Sequence, residues 1–206
     1  MALDRAELAT ASNQTPTFRL LPPGVRGGQT PRLGEADLER ARRLVGARHL
    51  MVRMAVQAGD EQGGRLADLV RAELAPLGID VRPRIVADVS AALRDPDEDL
   101  HLAALTTSLD YPDPASFLSR MFGHDVPDRW LSTSTQAAVD RLDRLTGAAR
   151  DRAAAALAAS LSTSDVPVVA FGTRELGVVL GSRVGCRVWN GVDAGLDLAA
   201  LCVTGS

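Results

Sequence analysis

Leu50-Met51-Val52-Arg53-Met54-Ala55-Val56-Gln57 and Ile79-Asp80-Val81-Arg82-Pro83-Arg84-Ile85-Val86 decide the fold. In the first run Leu50, Val52, Met54 and Val56 fall on every second residue, the period of a strand with one apolar face. The second run is rich in β-branched residues, and Pro83, which has no N–H to give a ladder, assigns it to a sheet edge. Between them Arg65 to Leu77 sets Leu66, Leu69, Val70, Leu74 and Leu77 on one helical stripe, which Pro76 and Gly78 close. Working outward, Glu35 to Val45 carries Leu38, Ala41, Leu44 and Val45 at helical spacing before Gly46. Asp88 caps a short helix through Leu93, and Asp95-Pro96-Asp97 turns into a strand over Leu100 to Thr107. Helix, strand, helix, strand, helix, strand is the order of an α/β layer structure.

The flanks read less regularly. Residues 1–34 are rich in Pro, Gly, Thr and polar residues, with breakers at Leu21-Pro22-Pro23-Gly24 and Gly27-Gly28, and read as a loop-dominated lead-in. Ser132 to Thr135 offers several N-caps for a helix through Thr146, and Arg150 to Leu161 follows as an alanine-rich partner across Gly147, a helical hairpin. Val166 to Phe171 reads as a buried strand, and Glu175 to Val188 as one or two more, interrupted at Gly181 and Gly185.

At 206 residues the chain can bury a sizeable core, and its apolar and charged fractions of 46% and 24% are those of a globular protein. The net charge of −3 gives no electrostatic case for nucleic acid or an anionic membrane. All basic residues are arginine, which excludes lysine Schiff-base chemistry. No apolar run reaches membrane-spanning length, and the start lacks the basic-then-apolar pattern of a signal peptide. The chain is thus expected to be cytosolic or a piece of something longer. Two cysteines, Cys186 and Cys202, stand without a CxxC or a His/Cys cluster at metal spacing, so neither a zinc site nor any other cofactor is expected. They are either two buried thiols or a disulfide, which would contribute about 3 kcal/mol.

Candidate chemistry concentrates where the Leu100–Thr107 run ends, in Ser108-Leu109-Asp110-Tyr111-Pro112-Asp113-Pro114. Two prolines stop both helix and strand there, and a carboxylate held at the end of a buried strand is where α/β proteins place ligand contacts. The competing reading makes the aspartates caps of the next helix. His101 and His124 could be drawn with Asp110 and Asp113 as a metal or acid–base cluster, but their spacing does not favour it. Ser132-Thr133-Ser134-Thr135 lacks the setting of a nucleophile and reads as capping. Tyr111 and Trp130 are either cleft or packing aromatics, and Arg120 and Arg129 two of many surface arginines.

The ordered landmarks resemble the C-terminal lobe of the family 5 extracellular solute-binding proteins, the oligopeptide- and dipeptide-binding type of ABC importers. Those landmarks are Leu3-Asp4-Arg5 followed by Leu21-Pro22-Pro23-Gly24, the Leu38–Gly46 helix, Leu69 to Val81 ending Leu77-Gly78-Ile79-Asp80-Val81, Asp110-Tyr111-Pro112-Asp113-Pro114 with Phe117-Leu118, Val166-Pro167-Val168-Val169, and Val184 to Cys202. The resemblance implies an α/β fold, a mixed sheet flanked by helices, of the periplasmic-binding-protein type II kind. It divides the chain into an extended segment 1–34 from a missing first lobe or hinge, a ligand-binding lobe 35–190 and a C-terminal return segment 191–206. It implies no catalysis, a peptide-like or cationic small solute, the N-terminal lobe of the same protein and an ABC permease as partners, and an extracytoplasmic parent, periplasmic or a cell-surface lipoprotein. Asp110 would meet the ligand's ammonium, with Thr107, Ser108 and Tyr111 beside it. Peptide-binding members usually carry a tryptophan where this chain has Thr107, which shifts the expectation from a peptide toward an amine-bearing solute. A regulatory or sensor module reusing the same lobe is the rival from another class.

Overall fold

The computed structural model describes residues 2–22, 25, 36–107, 113–123, 130–163, 166–174, 179–190 and 195–204. Its centre is a three-stranded parallel sheet in the order β3-β2-β4, formed by β2 (Leu50–Gln57), β3 (Ile79–Val86) and β4 (Leu102–Ala103). The helix α3 (Glu61–Leu74) makes the β2-to-β3 crossover and α4 (Val89–Arg94) the crossover to β4. In register Leu50 faces Ile79 and Gln57 faces Val86, while Met54 and Ala55 face Leu102 and Ala103.

The alternation read from the sequence sorts the two faces. Val52, Met54, Val56 and Val81 join Leu66, Ala67, Val70, Leu74 and Leu77 in one core under α3. On the opposite face Ala55 and Val86 pack against Ala92 and Leu100, and Arg53, Arg82 and Arg84 stand beyond them. Each crossover helix starts on a carboxylate that accepts an N–H left open by the first turn: Asp60 from Gly63 (2.9 Å) and Asp88 from Ala91 (2.7 Å). Pro76 falls in a 3-10 turn, Ala75–Leu77, that finishes α3, and Gly78 then takes a left-handed φ of 75°.

Beyond the sheet, α5 (Pro114–Phe122), α6 (Thr133–Leu142) and α7 (Gly147–Thr163) enclose a second core with Phe117, Leu118, Phe122, Val139, Leu142, Leu157 and Leu161. Ser132 caps α6 as expected, its Oγ accepting from the Thr135 N–H at 3.2 Å. The alanine-rich helix starts at Gly147, earlier than the periodicity predicts.

One expectation is refined and two are corrected. The lead-in is not loop throughout. It contains α1 (Arg5–Ala11), capped by Asp4, whose Leu8 joins the sheet core, and α2 (Leu38–Val45) begins only after it. Arg5 is 3% exposed, its guanidinium 5.7 Å from the Phe18 ring centroid. The strand expected over Leu100 to Thr107 is reduced to β4. Val166 to Phe171 forms no strand; Val168 packs on the helical core and Phe171 on the sheet core, so the run joins two cores instead of lying in one sheet. Immediately after it β5 (Gly172–Thr173) pairs antiparallel with β1 (Thr15–Pro16).

Among the described residues the C-terminal portion consists of two short antiparallel ladders. In these β6 (Val184–Gly185) pairs with β9 (Cys202–Val203) and β7 (Trp189–Asn190) with β8 (Gly195–Leu196). The cysteines are bridged, with an S–S distance of 2.03 Å and Cα atoms 5.3 Å apart.

Candidate ligand-binding site

Three parallel strands send their C-terminal ends to one edge of the sheet. Two of the loops there spend their carboxylates on helix caps, Asp60 and Asp88, and the third continues from β4 toward the acidic turn. Ala104 still belongs to the sheet core, whereas Leu105, Thr106 and Thr107 are exposed. Of the expected contact residues, Thr107 is thus at the surface on the approach to the turn. Ser108, Asp110 and Tyr111 lie outside the described residues, as do His124 and Arg129.

The chain is described again at Asp113, which sorts the two aspartates of the motif. The Asp113 carboxylate accepts from the N–H groups of Ala115 (2.8 Å) and Ser116 (3.3 Å), from the Ser116 hydroxyl (3.3 Å), and from the Arg150 guanidinium. Pro114 at the first helical position has no N–H to leave unpaired. Arg150 also donates from Nε to the Leu142 carbonyl at 3.3 Å, so one side chain ties the start of α5, the end of α6 and α7 together. Both partners are only 22% exposed. Burial by itself would raise the Asp113 pKa. The bond from Arg150, those from the Ala115 and Ser116 amides, and the nearby positive charge outweigh it and hold the carboxyl below its ordinary range. Asp113 is therefore occupied in capping α5 and tying it to α7. The capping reading of the motif's aspartates holds for Asp113 but misses Arg150, because a partner 37 residues away on an alanine-rich helix carries no local signal.

Elsewhere Arg120 is exposed and Trp130 half-buried. His101 sits 3.6 Å through Nε2 from Asp99 Oδ1. Among the described residues no group of three or more His, Cys, Asp or Glu side chains could hold a metal ion. Glu73 accepts the Asp4 N–H at 2.8 Å; burial raises its pKa, that bond opposes the rise, and the charges of Glu7 and Asp4 add to it. A cavity of about 350 Å³ is lined by Thr10, Asn13, Gln14, Thr15 and Thr173, and one of about 390 Å³ lies between the end of β3 and α4. Neither is lined by Thr107.

No protein-family profile matches the chain, and no curated protein matches it in sequence. Solved structures do match. A clavulanic acid biosynthesis oligopeptide binding protein 2 superposes with a TM-score of 0.73 at 20% identity, covering 99% of this chain and 42% of that one. The substrate-binding domain of an oligopeptide ABC transporter from Bacillus anthracis gives 0.68 at 14% identity over 99% and 44%. NikA from Staphylococcus aureus, in complex with Ni(L-His)2, gives 0.65 at 15% identity over 81% and 38%. The chain thus spans less than half the length of the structures it resembles. At these identities the likeness establishes the fold: the α/β architecture of type II, family 5 solute-binding proteins, with parallel and antiparallel pairings, as the motifs imply. Among the described residues no helix is long and apolar enough to cross a membrane.

Proposed function

We propose that this chain is the C-terminal lobe of a solute-binding protein of an ABC importer. Its role is to bind and release a small solute, without catalysis, in a cleft shared with a second lobe. The observation that carries this reading is a fold match to an oligopeptide binding protein that covers 99% of this chain, in line with the family the ordered motifs resemble. The Cys186–Cys202 bridge adds support for an extracytoplasmic location, since such bonds persist in oxidising compartments.

Asp110 is assigned to the ligand and Asp113 to the scaffold. The aspartate beside it being consumed by two amides, a hydroxyl and Arg150, Asp110 is the carboxylate of the motif left to meet a cation. A carboxylate in a closing cleft forms a charge-assisted hydrogen bond with an ammonium group, which favours an amine-bearing solute. Thr107, Ser108 and Tyr111 supply hydroxyls beside it. Closure against the other lobe desolvates that pair, and the permease receives the loaded form.

The test is calorimetry on the two-lobed protein with small peptides and amine solutes, against its Asp110→Asn variant. Loss of most of the affinity in the variant supports the assignment. Equal affinity in both proteins removes Asp110 from the site, and no binding of any amine-bearing solute removes the ligand class.

A further inference from the structure

The start of β4 is held to β2 by a side chain standing in for a strand. The Arg53 carbonyl accepts from the His101 N–H at 3.0 Å, as in an ordinary ladder. The Arg53 N–H, however, donates to Nδ1 of the His101 imidazole at 3.2 Å. The Arg53 guanidinium pairs with the Asp99 carboxylate, and Asp99 Oδ1 lies 3.6 Å from His101 Nε2. Four groups from two neighbouring segments thus close on one another just before Leu102 enters register with Met54.

We propose that His101 is a proton-sensitive positioning residue that registers β4, the strand leading to the acidic turn, on β2. An imidazole can accept at Nδ1 only when that nitrogen carries no proton, so the neutral ring must carry its hydrogen on Nε2, facing Asp99. Protonation converts the acceptor into a second donor. The Arg53 N–H and the imidazolium Nδ1–H then oppose each other, and the amide must turn to water. The charged groups around the ring fit this exchange. Asp99 receives the new positive charge, while Arg53 resists it. On β3, across the same sheet face, Arg82 is paired with Asp80 (2.8 Å) and Arg84 with Glu98 (3.4 Å), so those strand arginines are already compensated. His101 is exposed enough to exchange protons with solvent, its side chain being 40% accessible.

On the full chain, nitrogen NMR of labelled histidine at about pH 8 should show His101 as the Nε2–H tautomer. Between about pH 8 and pH 5, a span that takes a histidine from neutral to charged, Arg53 amide protection, corrected for intrinsic exchange, should fall about three- to tenfold. In His101→Gln, whose amide oxygen accepts at any pH, protection should stay level across the range, and in His101→Ala it should be low throughout. An Nδ1–H tautomer at high pH, or wild-type protection that does not follow histidine protonation, overturns the proposal without any variant being needed.

Discussion

Replacing Cys186 and Cys202 by serine tests what holds the C-terminal ladders in place. Between Val179 and Thr204 none of the residues whose exposure is described is buried, and Val179, Val188, Leu198 and Val203 are among the most exposed large apolar residues. The hydrophobic term that stabilises the two main cores is therefore nearly absent here, and each ladder is only two residues long. The bridge closes a loop with a sequence separation of 16, for which the chain-entropy estimate is about 3 kcal/mol. That exceeds what a few exposed hydrogen bonds contribute, at about 1 kcal/mol each before ordering entropy is subtracted. Loss of the bridge should thus raise the open fraction of this portion by roughly a hundredfold, while the sheet and helical cores stay closed. Trypsin cleavage after Arg183 and Arg187 is the assay, read by mass spectrometry against cleavage after Arg65 or Arg71 in α3. The double variant should be cut at the first pair far faster than wild type, with α3 unchanged. Equal rates at Arg183 and Arg187 in the two proteins would refute the reasoning and show that contacts, not the crosslink, hold the ladders.

Two further outcomes are expected. Arg150→Gln should destabilise the protein by about 2 kcal/mol in urea titrations at pH 7, the range for a charge-assisted bond whose partner stays half-buried. Because the folded pKa of Asp113 is depressed, this contribution is complete above the ordinary carboxyl value, about 3.9, and disappears as pH falls through the lower folded value; the gap between wild type and variant should close only in that acid window. Pro83→Ala should change stability by less than about 1 kcal/mol but increase self-association at high concentration in sedimentation velocity. The Leu50 N–H donates to the Gly78 carbonyl and the Ala58 N–H to the Val86 carbonyl, so Pro83 stands at an odd position whose main-chain groups face away from β2. A large stability loss would show that reading of the edge to be wrong.

These tests rest on features of unequal visibility in the sequence. The β2–α3–β3 unit is legible because two periods, 2 and 3.6, alternate cleanly there, although α3 starts at Glu61 on an Asp60 cap, ahead of the apolar stripe read from Arg65; Asp88 and Ser132 cap α4 and α6 where capping residues belong. Helix α1 is not, since seven residues between polar stretches carry too little periodicity; its burial comes from the sheet core it covers. Val166 to Phe171 has strand composition, yet Val168 and Phe171 belong to different cores, a tertiary assignment that local preference cannot express. The same holds for β4, where His101 takes over an N–H that a continued ladder would otherwise use, and for β1, whose Thr15 finds Thr173 at the far end of the chain. At the candidate site, the capping role of Asp113 is legible in the sequence, whereas its ion pair with Arg150 is not.

The passage between Ala104 in the sheet core and Ala115 in the helical core has a mechanical consequence. From Thr107 to Asp113 the chain can reach at most about 20 Å, and Asp113 is moored at its far end by Arg150. The β1–β5 ladder is a second mooring, since Phe171 before β5 lies on the sheet core while Leu20 and Leu21 after β1 lie on the helical one. Sheet and helices are thus joined both by the chain between Ala104 and Ala115 and by the β1–β5 ladder, so a displacement of one core is carried into the other.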